Sequence, residues 1–227
     1  MKARIKRLLN RLIQPAPSSN PRFKKYYSKY SEFTMMSRAD YTATMAVVEH
    51  FKSLKGDVIE CGVWRGGMIA GMAELLGSGR KYYLCDSFEG LPEAQEIDGK
   101  AARKWQNDKN GPTYYNNCAA EASFAEKAMG LAQADYRLVK GWFNNTLPTL
   151  ETDPIAFLRL DADWYDSMYC CMENLYPRVI KNGIILIDDY FVWDGCSKAI
   201  HAYLSNTMSA SRIHHTPFGI TYIIKND

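Results

Sequence analysis

Short β-like apolar runs alternate along this sequence with segments that repeat apolar residues at helical spacing. The predicted strands cover residues 58–61, 81–85, 135–140, 155–160 and 184–187. Helical patterns cover residues 41–51, 68–76, 167–176 and 197–204. Strands that alternate with helices build βαβ units, in which parallel strands form one sheet with helices on both faces. The alternation therefore predicts a doubly wound α/β domain with a mostly parallel sheet.

The pattern changes after the last predicted helix. Two β-rich runs, at 212–215 and 220–224, flank Thr216-Pro217-Phe218-Gly219, and so short a connection predicts an antiparallel pair. Upstream, Asn182-Gly183 predicts a turn that leads into the strand at 184–187. The expected sheet therefore has seven strands and ends in an antiparallel C-terminal strand.

Composition supports one globular domain. The chain has 227 residues, of which 47% are hydrophobic and 23% charged, which excludes wholesale disorder and a disulfide-stabilised miniprotein. We expect no transmembrane segment, because no stretch approaches about 20 consecutive apolar residues, and no secretory signal, because the start lacks a long apolar region. The six cysteines form no CxxC pair, so we expect them to be reduced and the protein to be cytoplasmic.

Basic residues are concentrated at the N-terminus. Residues 1–31 hold nine Lys or Arg and no acid, whereas the rest of the chain holds 19 basic against 25 acidic residues. Nucleic-acid binding needs a broad cationic surface, so the acidic body argues against a nucleic-acid partner. Residues 2–13 repeat apolar side chains at helical spacing, and we interpret residues 1–32 as a basic amphipathic arm with a linker, ahead of a domain at 33–227. The arm either packs on the body or a partner subunit, which we favour, or makes a peripheral contact with an anionic membrane.

A glycine-containing loop follows the first strand, with the sequence Glu60-Cys61-Gly62-Val63-Trp64-Arg65-Gly66-Gly67. Its spacing is not GxGxxG, so a pyrophosphate at the helix N-terminus is not the favoured ligand. Glu60 at the strand end suits a cationic ligand better. Asp86 ends the second strand, where a carboxylate can accept hydrogen bonds from a ribose diol. NAD would satisfy the same pair, and a plain turn with a solvated Glu60 remains the alternative.

Acidic side chains follow two further strands. Asp161 and Asp163 come directly after the strand at 155–160, and Asp188 and Asp189 end the strand at 184–187. Neighbouring parallel strands would gather these four carboxylates at one edge of the sheet, where like charges repel strongly. A Mg²⁺ ion relieves such repulsion and stabilises an alkoxide, while an adjacent carboxylate takes the proton. Helix capping by neighbouring polar residues is the alternative, but it does not explain the Asp188-Asp189 pair.

Residues 89–117 form a long insertion rich in Gly, Asn, Asp and Pro. Insertions of this length on an α/β sheet are usually functional, so we expect a lid or a binding loop. Several aromatic residues near the acids are candidates for a platform under a sugar ring, although aromatic residues at this density are equally expected in the core. They are Trp164, Tyr165, Tyr190, Phe191 and Trp193.

Taken in order, these motifs resemble the macrocin O-methyltransferase (TylF-type) family. The resemblance runs through Phe33-Thr34-Met35, the loop at 60–67, Asp86-Ser87-Phe88-Glu89-Gly90-Leu91-Pro92, Lys140-Gly141-Trp142, residues 158–165, Leu175-Tyr176-Pro177, Ile187-Asp188-Asp189-Tyr190 and Lys198-Ala199. It covers roughly residues 33–204. The resemblance does not include the region before Phe33 or the segment 93–134, and both bear on the acceptor.

The resemblance implies a class I S-adenosyl-L-methionine (SAM) methyltransferase, a Rossmann-like fold with an N-terminal helical extension. The implied activity is Mg²⁺-dependent O-methylation of a sugar hydroxyl, on a glycosylated natural product or a surface glycan, by a homo-oligomer. It implies metal ligation by Asp161, Asp188 and Asp189 and a base at Asp163, with the division of roles between Asp161 and Asp163 left open. Donor contacts are expected at Thr34, Met35, Glu60, Gly62, Trp64, Arg65, Gly66, Asp86, Ser87 and Phe88. An NAD-dependent oxidoreductase and a catalytically degenerate scaffold are the alternatives.

Overall fold

A computed structural model describes residues 16–227 and contains one seven-stranded sheet. The strands are β1 (Asp57–Cys61), β2 (Tyr82–Asp86), β3 (Tyr136–Lys140), β4 (Ile155–Leu160), β5 (Val179–Ile187), β6 (Arg212–His215) and β7 (Thr221–Ile224). Their order is β3-β2-β1-β4-β5-β7-β6, with parallel pairing from β3 to β5 and antiparallel pairing of β7 with β5 and β6. The expected α/β fold with antiparallel C-terminal strands is confirmed.

Helices cover both faces of the sheet. They are α1 (Pro21–Tyr30), α2 (Arg38–His50), α3 (Gly67–Leu76), α4 (Gly99–Asn107), α5 (Ala122–Ala132), α6 (Phe143–Thr146), α7 (Tyr165–Leu175) and α8 (Asp194–Asn206). Two cores result, because alternate strand residues point to opposite faces: Val58 packs with α1, α2, α3 and α5, whereas Ile59 packs with α7 and α8. None of the helices within residues 16–227 is long and apolar enough to cross a membrane.

The segment before the first strand is more ordered than the sequence indicates. Part of the expected linker forms a 3₁₀ turn at Pro17–Ser19, and α1 follows it, with Phe23 and Tyr30 buried in the same core as α2 and α3. Asn20 caps α1 by accepting a hydrogen bond from the Arg22 N–H. The boundary at residues 32 and 33 therefore does not separate two packing units. The amphipathic pattern at residues 2–13 lies outside the described residues.

The prediction that Asn182-Gly183 forms a turn ahead of the strand is wrong. The β5 strand begins at Val179, and Asn182 lies inside it with a φ of 64°. Its left-handed backbone produces an irregularity rather than a chain reversal, and the β4–β5 register shifts between Ile155 and Phe157.

The insertion at 89–117 is folded against the body. It contains a 3₁₀ turn at Glu96–Asp98 and the helix α4, and Ala94 and Ala102 form a small core with Trp164. The Trp164 indole N–H donates to the Pro92 carbonyl oxygen at 3.0 Å. The insertion is thus anchored directly on the segment that follows β4.

Candidate active site

A cavity of about 620 Å³ opens at the carboxyl ends of the parallel strands. It runs from the loop after β1 to the segments after β4 and β5, as the doubly wound topology requires. The predicted donor residues that line it are Thr34, Met35, Glu60, Gly62, Trp64, Asp86 and Ser87, and all four predicted acids line it as well. Arg65, Gly66 and Phe88 are not among its lining residues.

These three residues have other contacts. The Arg65 guanidinium lies 4.4 Å from the ring centroid of Trp64 and 4.5 Å from that of Phe124, so it packs between two aromatic rings. Gly66 is the N-cap of α3 with a φ of 82°, and Phe88 is buried. These three residues therefore have structural contacts in place of the expected direct contact with the cavity.

The loop after β1 depends on Gly62. Its φ is 84°, and a Cβ there would lie 1.6 Å from the backbone oxygen of Asp161. Only glycine allows the ends of β1 and β4 to approach so closely. Gly62 thus fixes the spacing between the predicted donor half of the cavity and the predicted metal half.

Asp86 supports this loop from β2. Its Oδ2 accepts hydrogen bonds from the backbone N–H groups of Val63 at 2.7 Å and Trp64 at 2.8 Å, and its Oδ1 accepts one from Phe88 at 2.7 Å. The expected free carboxylate for a ribose diol is therefore already committed to the protein backbone. It can still accept a further bond into the cavity, since a carboxylate has about four acceptor sites.

Glu60 is not free for a cationic ligand, in contrast to the expectation. It is 1% exposed, its Oε1 forms a 2.6 Å ion pair with Nη1 of Arg159, and its Oε2 accepts the Ile69 N–H at 3.1 Å. Burial raises its pKa, and the positive charge of Arg159 offsets part of that rise. Glu60 therefore pairs with a cation supplied by the chain itself.

Arg159 is a buried charged residue of the site that the sequence analysis did not identify. Besides Glu60, its Nη1 contacts Asp161 Oδ2 at 2.8 Å, and its Nη2 contacts Asp188 Oδ1 at 2.6 Å. The signal was present, because an arginine inside the apolar run of β4 needs a charged partner when it is buried. Two of the three partners, Glu60 and Asp188, belong to other strands or their ends, and the sequence does not show that they are the partners.

Three of the four acids form a group that we call the carboxylate cluster, which consists of Asp161, Asp163 and Asp189. One oxygen from each lies within 4.8 Å of the other two. Asp188 lies beside the cluster, facing Arg159, so the gathered set differs by one member from the expected ligands Asp161, Asp188 and Asp189. Oδ2 of Asp189 is buried and has no hydrogen-bond partner among the described residues.

The pKa values of three of the acids are raised, because these side chains are buried close to one another. Burial, followed by the charge of Asp161, raises the pKa of Asp163 from 3.8 to about 8. Burial raises the pKa of Asp188 to about 6 against the opposing charge of Arg159, and raises that of Asp189 well above its usual value. These carboxylates are therefore short of positive charge, even with Arg159 beside them.

Asp163 is held in an unusual conformation. Its φ is 55°, in the left-handed region, and its Oδ1 accepts the indole N–H of Trp193 at 2.9 Å. The Trp193 ring contacts Trp164 at 5.3 Å and Trp105 of α4 at 6.0 Å between centroids. Trp164 is 2% exposed, so it belongs to this aromatic core and not to an open sugar platform, whereas Phe191 is 72% exposed.

Helix capping does not account for the acids. The helix α7 begins at Tyr165, and neither Asp166 nor Ser167 caps it. The Tyr165 N–H instead donates at 2.7 Å to Oδ1 of Asp98, a buried residue of the insertion that sequence reasoning also missed. The residues of the carboxylate cluster therefore do not cap this helix.

The cluster fits a hard divalent cation. It offers only oxygen donors, which Mg²⁺ prefers, and the unpartnered oxygen of Asp189 is buried among like charges. A bound cation would relieve both features. The residues at this edge of the cavity are therefore suitable metal ligands.

Comparison with known proteins agrees with this geometry. The model of the macrocin-O-methyltransferase (TylF) family matches residues 28–218. The chain belongs to this family. The match begins within α1 and includes the Gly62 loop, the insertion and all four acids.

Individual relatives of this chain are O-methyltransferases by name. The 8-demethyl-8-(2,3-dimethoxy-alpha-L-rhamnosyl)-tetracenomycin-C 4'-O-methyltransferase of Streptomyces olivaceus is 37% identical over 153 residues, which are 65% of this chain and 58% of the relative. Demethyldecarbamoylnovobiocin O-methyltransferase of Streptomyces niveus is 34% identical over 160 residues, which are 66% and 59% of the two chains. The match thus spans about three fifths of each relative.

A solved structure extends the likeness to the fold. The O-methyltransferase NovP has a TM-score of 0.71 and 25% sequence identity, over 86% of this chain and 83% of NovP. The TylF-family chain therefore has the fold of class I SAM O-methyltransferases.

Proposed function

We propose that this protein is a SAM-dependent O-methyltransferase that methylates a sugar hydroxyl of a glycosylated natural product with the help of Mg²⁺. One observation carries the proposal: a single cavity joins the glycine loop after β1 to the carboxylate cluster after β4 and β5. A methyl donor and a metal-assisted hydroxyl acceptor need this juxtaposition, because in-line displacement depends on the alignment of the two.

The donor half is the part of the cavity lined by Thr34, Met35, Gly62, Trp64 and Ser87. Gly62 allows a ligand to lie against the backbone, and Asp86 keeps the loop in place through the backbone N–H groups of Val63 and Trp64. We propose that the methionine part and the ribose of SAM lie along this wall. Its apolar residues would exclude water from the sulfonium.

The cation half would be formed by Asp161 and Asp189 with Asp188 as the third ligand, and Asp163 would serve as base. The bound cation would lower the pKa of the acceptor hydroxyl. Asp163 is placed to take the proton, because one of its oxygens lies within 4.8 Å of oxygens of Asp161 and Asp189. Trp193 keeps its Oδ1 oriented through the 2.9 Å hydrogen bond.

The structure also permits the converse assignment, in which Asp163 is the third ligand and Asp188 stays with Arg159. Titration of Asp163→Asn and Asp188→Asn with Mg²⁺ distinguishes the two. Loss of a ligand lowers cation affinity, whereas loss of the base leaves the affinity near that of the wild type and stops turnover.

The test of the function is transfer of a labelled methyl group from SAM to glycosylated metabolites. Asp161→Asn should reduce turnover by at least about a hundredfold, and Asp135→Asn, an exposed acid at the opposite edge of the sheet, is the matched control. Activity of Asp161→Asn within a few-fold of the wild type would contradict the metal role.

Thermal-shift titration separates the alternatives. S-adenosylhomocysteine should raise the melting temperature, because a ligand selective for the folded state stabilises it. Stabilisation by NAD instead would favour an oxidoreductase. Stabilisation by S-adenosylhomocysteine without transfer to any glycosylated acceptor would favour a degenerate scaffold.

A further inference from the structure

Arg159 occupies the junction between the two halves of the cavity. It lies on β4 with its side chain 2% exposed, and it is paired in register with Glu60 of β1 and Leu186 of β5. These three strands meet where the strand order of the sheet reverses. The side chain of Arg159 contacts both Glu60 of β1 and Asp188 in the segment after β5.

The guanidinium contacts three carboxylates, one from each side and one from its own strand. Glu60 Oε1 lies at 2.6 Å, Asp161 Oδ2 at 2.8 Å and Asp188 Oδ1 at 2.6 Å. The second oxygen of Glu60 accepts the Ile69 N–H in the first turns of α3, so this group is also fixed to a helix. The contacts therefore form a continuous chain from α3 to the segment after β5.

Only arginine provides this arrangement. Its planar guanidinium has five N–H donors in a fixed geometry, whereas lysine has a single point charge on a flexible stem. Burying the charge is costly, and three carboxylate partners offset that cost only while they keep their positions. The same contacts that stabilise Arg159 therefore restrict Asp161 and Asp188.

We propose that Arg159 is a positioning residue that holds Asp161 and Asp188 in place for the cation and links them to Glu60 on the donor side. The proposal rests on the cation-dependent function proposed above. It means that the protein restricts Asp161 and Asp188 before any ligand binds. It also means that a substitution of Glu60 changes the cation affinity of the site through Arg159.

The sign of that effect follows from charge. When Glu60 is replaced by Gln, the charge of Arg159 is shared by Asp161 and Asp188 alone. The guanidinium then competes more strongly with the cation for these two carboxylates. Cation affinity should fall, although Glu60 is not in the proposed ligand set.

The experiment is isothermal titration with MgCl₂ and MnCl₂ of the wild type and three variants. Arg159→Lys keeps the charge but loses the bridging geometry, and should bind the cation about tenfold to a hundredfold more weakly. Glu60→Gln should bind it roughly threefold to tenfold more weakly. Arg80→Lys is the matched control, because Arg80 also donates from both terminal nitrogens, to Leu54 and Gly56 carbonyls at the opposite edge of the sheet.

Arg80→Lys should lower the melting temperature and leave cation affinity within twofold of the wild type. If Arg159→Lys and Glu60→Gln both match the wild type, the inference is overturned while the proposed function stands. If the wild type itself binds neither cation, the metal part of the proposed function fails and the inference fails with it. Should Arg159→Lys not fold, Glu60→Gln decides alone, because it is isosteric and keeps an acceptor for the Ile69 N–H.

Discussion

The carboxylate cluster should destabilise the protein when no cation is bound, and Asp163→Asn should reveal this cost. Folding raises the pKa of Asp163 from 3.8 to about 8. A carboxyl whose pKa is raised on folding costs stability above its unfolded pKa, and the cost grows until the pH reaches the folded pKa. Since pH 7 lies roughly three units above the unfolded pKa, the cost at this pH is about 4 kcal/mol.

The measured gain should be smaller than this limit. The carboxylate faces the cavity, where water screens part of the repulsion, so we expect Asp163→Asn to be more stable by about 1 to 3 kcal/mol. Asparagine keeps an oxygen that accepts the Trp193 N–H. For a domain of this size the gain corresponds to a rise in melting temperature of about 2 to 12 °C.

Thermal unfolding in EDTA at pH 7 and pH 5 is the assay. The gain should fall to about two fifths at pH 5, because Asp163 takes up a proton on folding at both pH values and this uptake costs less as the pH approaches the unfolded pKa. Glu74→Gln is the contrasting control, because Lys29 and Tyr30 hydrogen-bond this carboxylate and its pKa is lowered, so removing its charge should cost about 1 kcal/mol. An Asp163→Asn protein that melts at or below the wild-type temperature at pH 7 would refute the reasoning.

Three further outcomes follow from the same contacts. Trp193→Phe removes the hydrogen-bond donor to Asp163 and should lower the rate of methyl transfer about tenfold with unchanged S-adenosylhomocysteine affinity. Trp164→Phe is the control: it loses a similar indole hydrogen bond, to a carbonyl, and should lower stability while the transfer rate stays within a few-fold of the wild type. Asp98→Ala removes the acceptor of the N–H groups of Gln95 and Tyr165 and should cost about 1 to 3 kcal/mol in urea unfolding. Mg²⁺ affinity should rise at least roughly tenfold from pH 6 to pH 8, with proton release seen by calorimetry, because the raised pKa values of the acids mean that protons compete with the cation; a flat profile would contradict those shifts.

Local patterns were enough to predict the strands and the edge of the sheet where the acids lie. Apolar runs bounded by polar residues mark β1 and β4, and the acids that follow β4 and β5 line one cavity because parallel strands share a carboxyl edge. The need for Gly62 was also visible as a tight turn. The close approach of its backbone to Asp161 was not, since the two residues belong to strands far apart in sequence.

Roles that depend on long-range pairing could not be predicted in the same way. Glu60 and Arg159 are 99 positions apart, and each has a motif context that suggests a different partner. Asp98 lies in an insertion without periodicity, yet it accepts the first N–H of α7. In both cases the residue type indicates that a partner is required, and only the fold shows which one.

Arg159 also reduces the negative charge that a metal ion would have to balance. Four acids alone would need a cation for charge balance, but one guanidinium already neutralises part of the charge of Glu60, Asp161 and Asp188. The remaining deficit of positive charge lies at Asp163 and Asp189. The pKa values of both stay raised, and Oδ2 of Asp189 has no hydrogen-bond partner among the described residues. The charge that Arg159 leaves uncompensated, and not the number of acids, is therefore what would favour a bound cation.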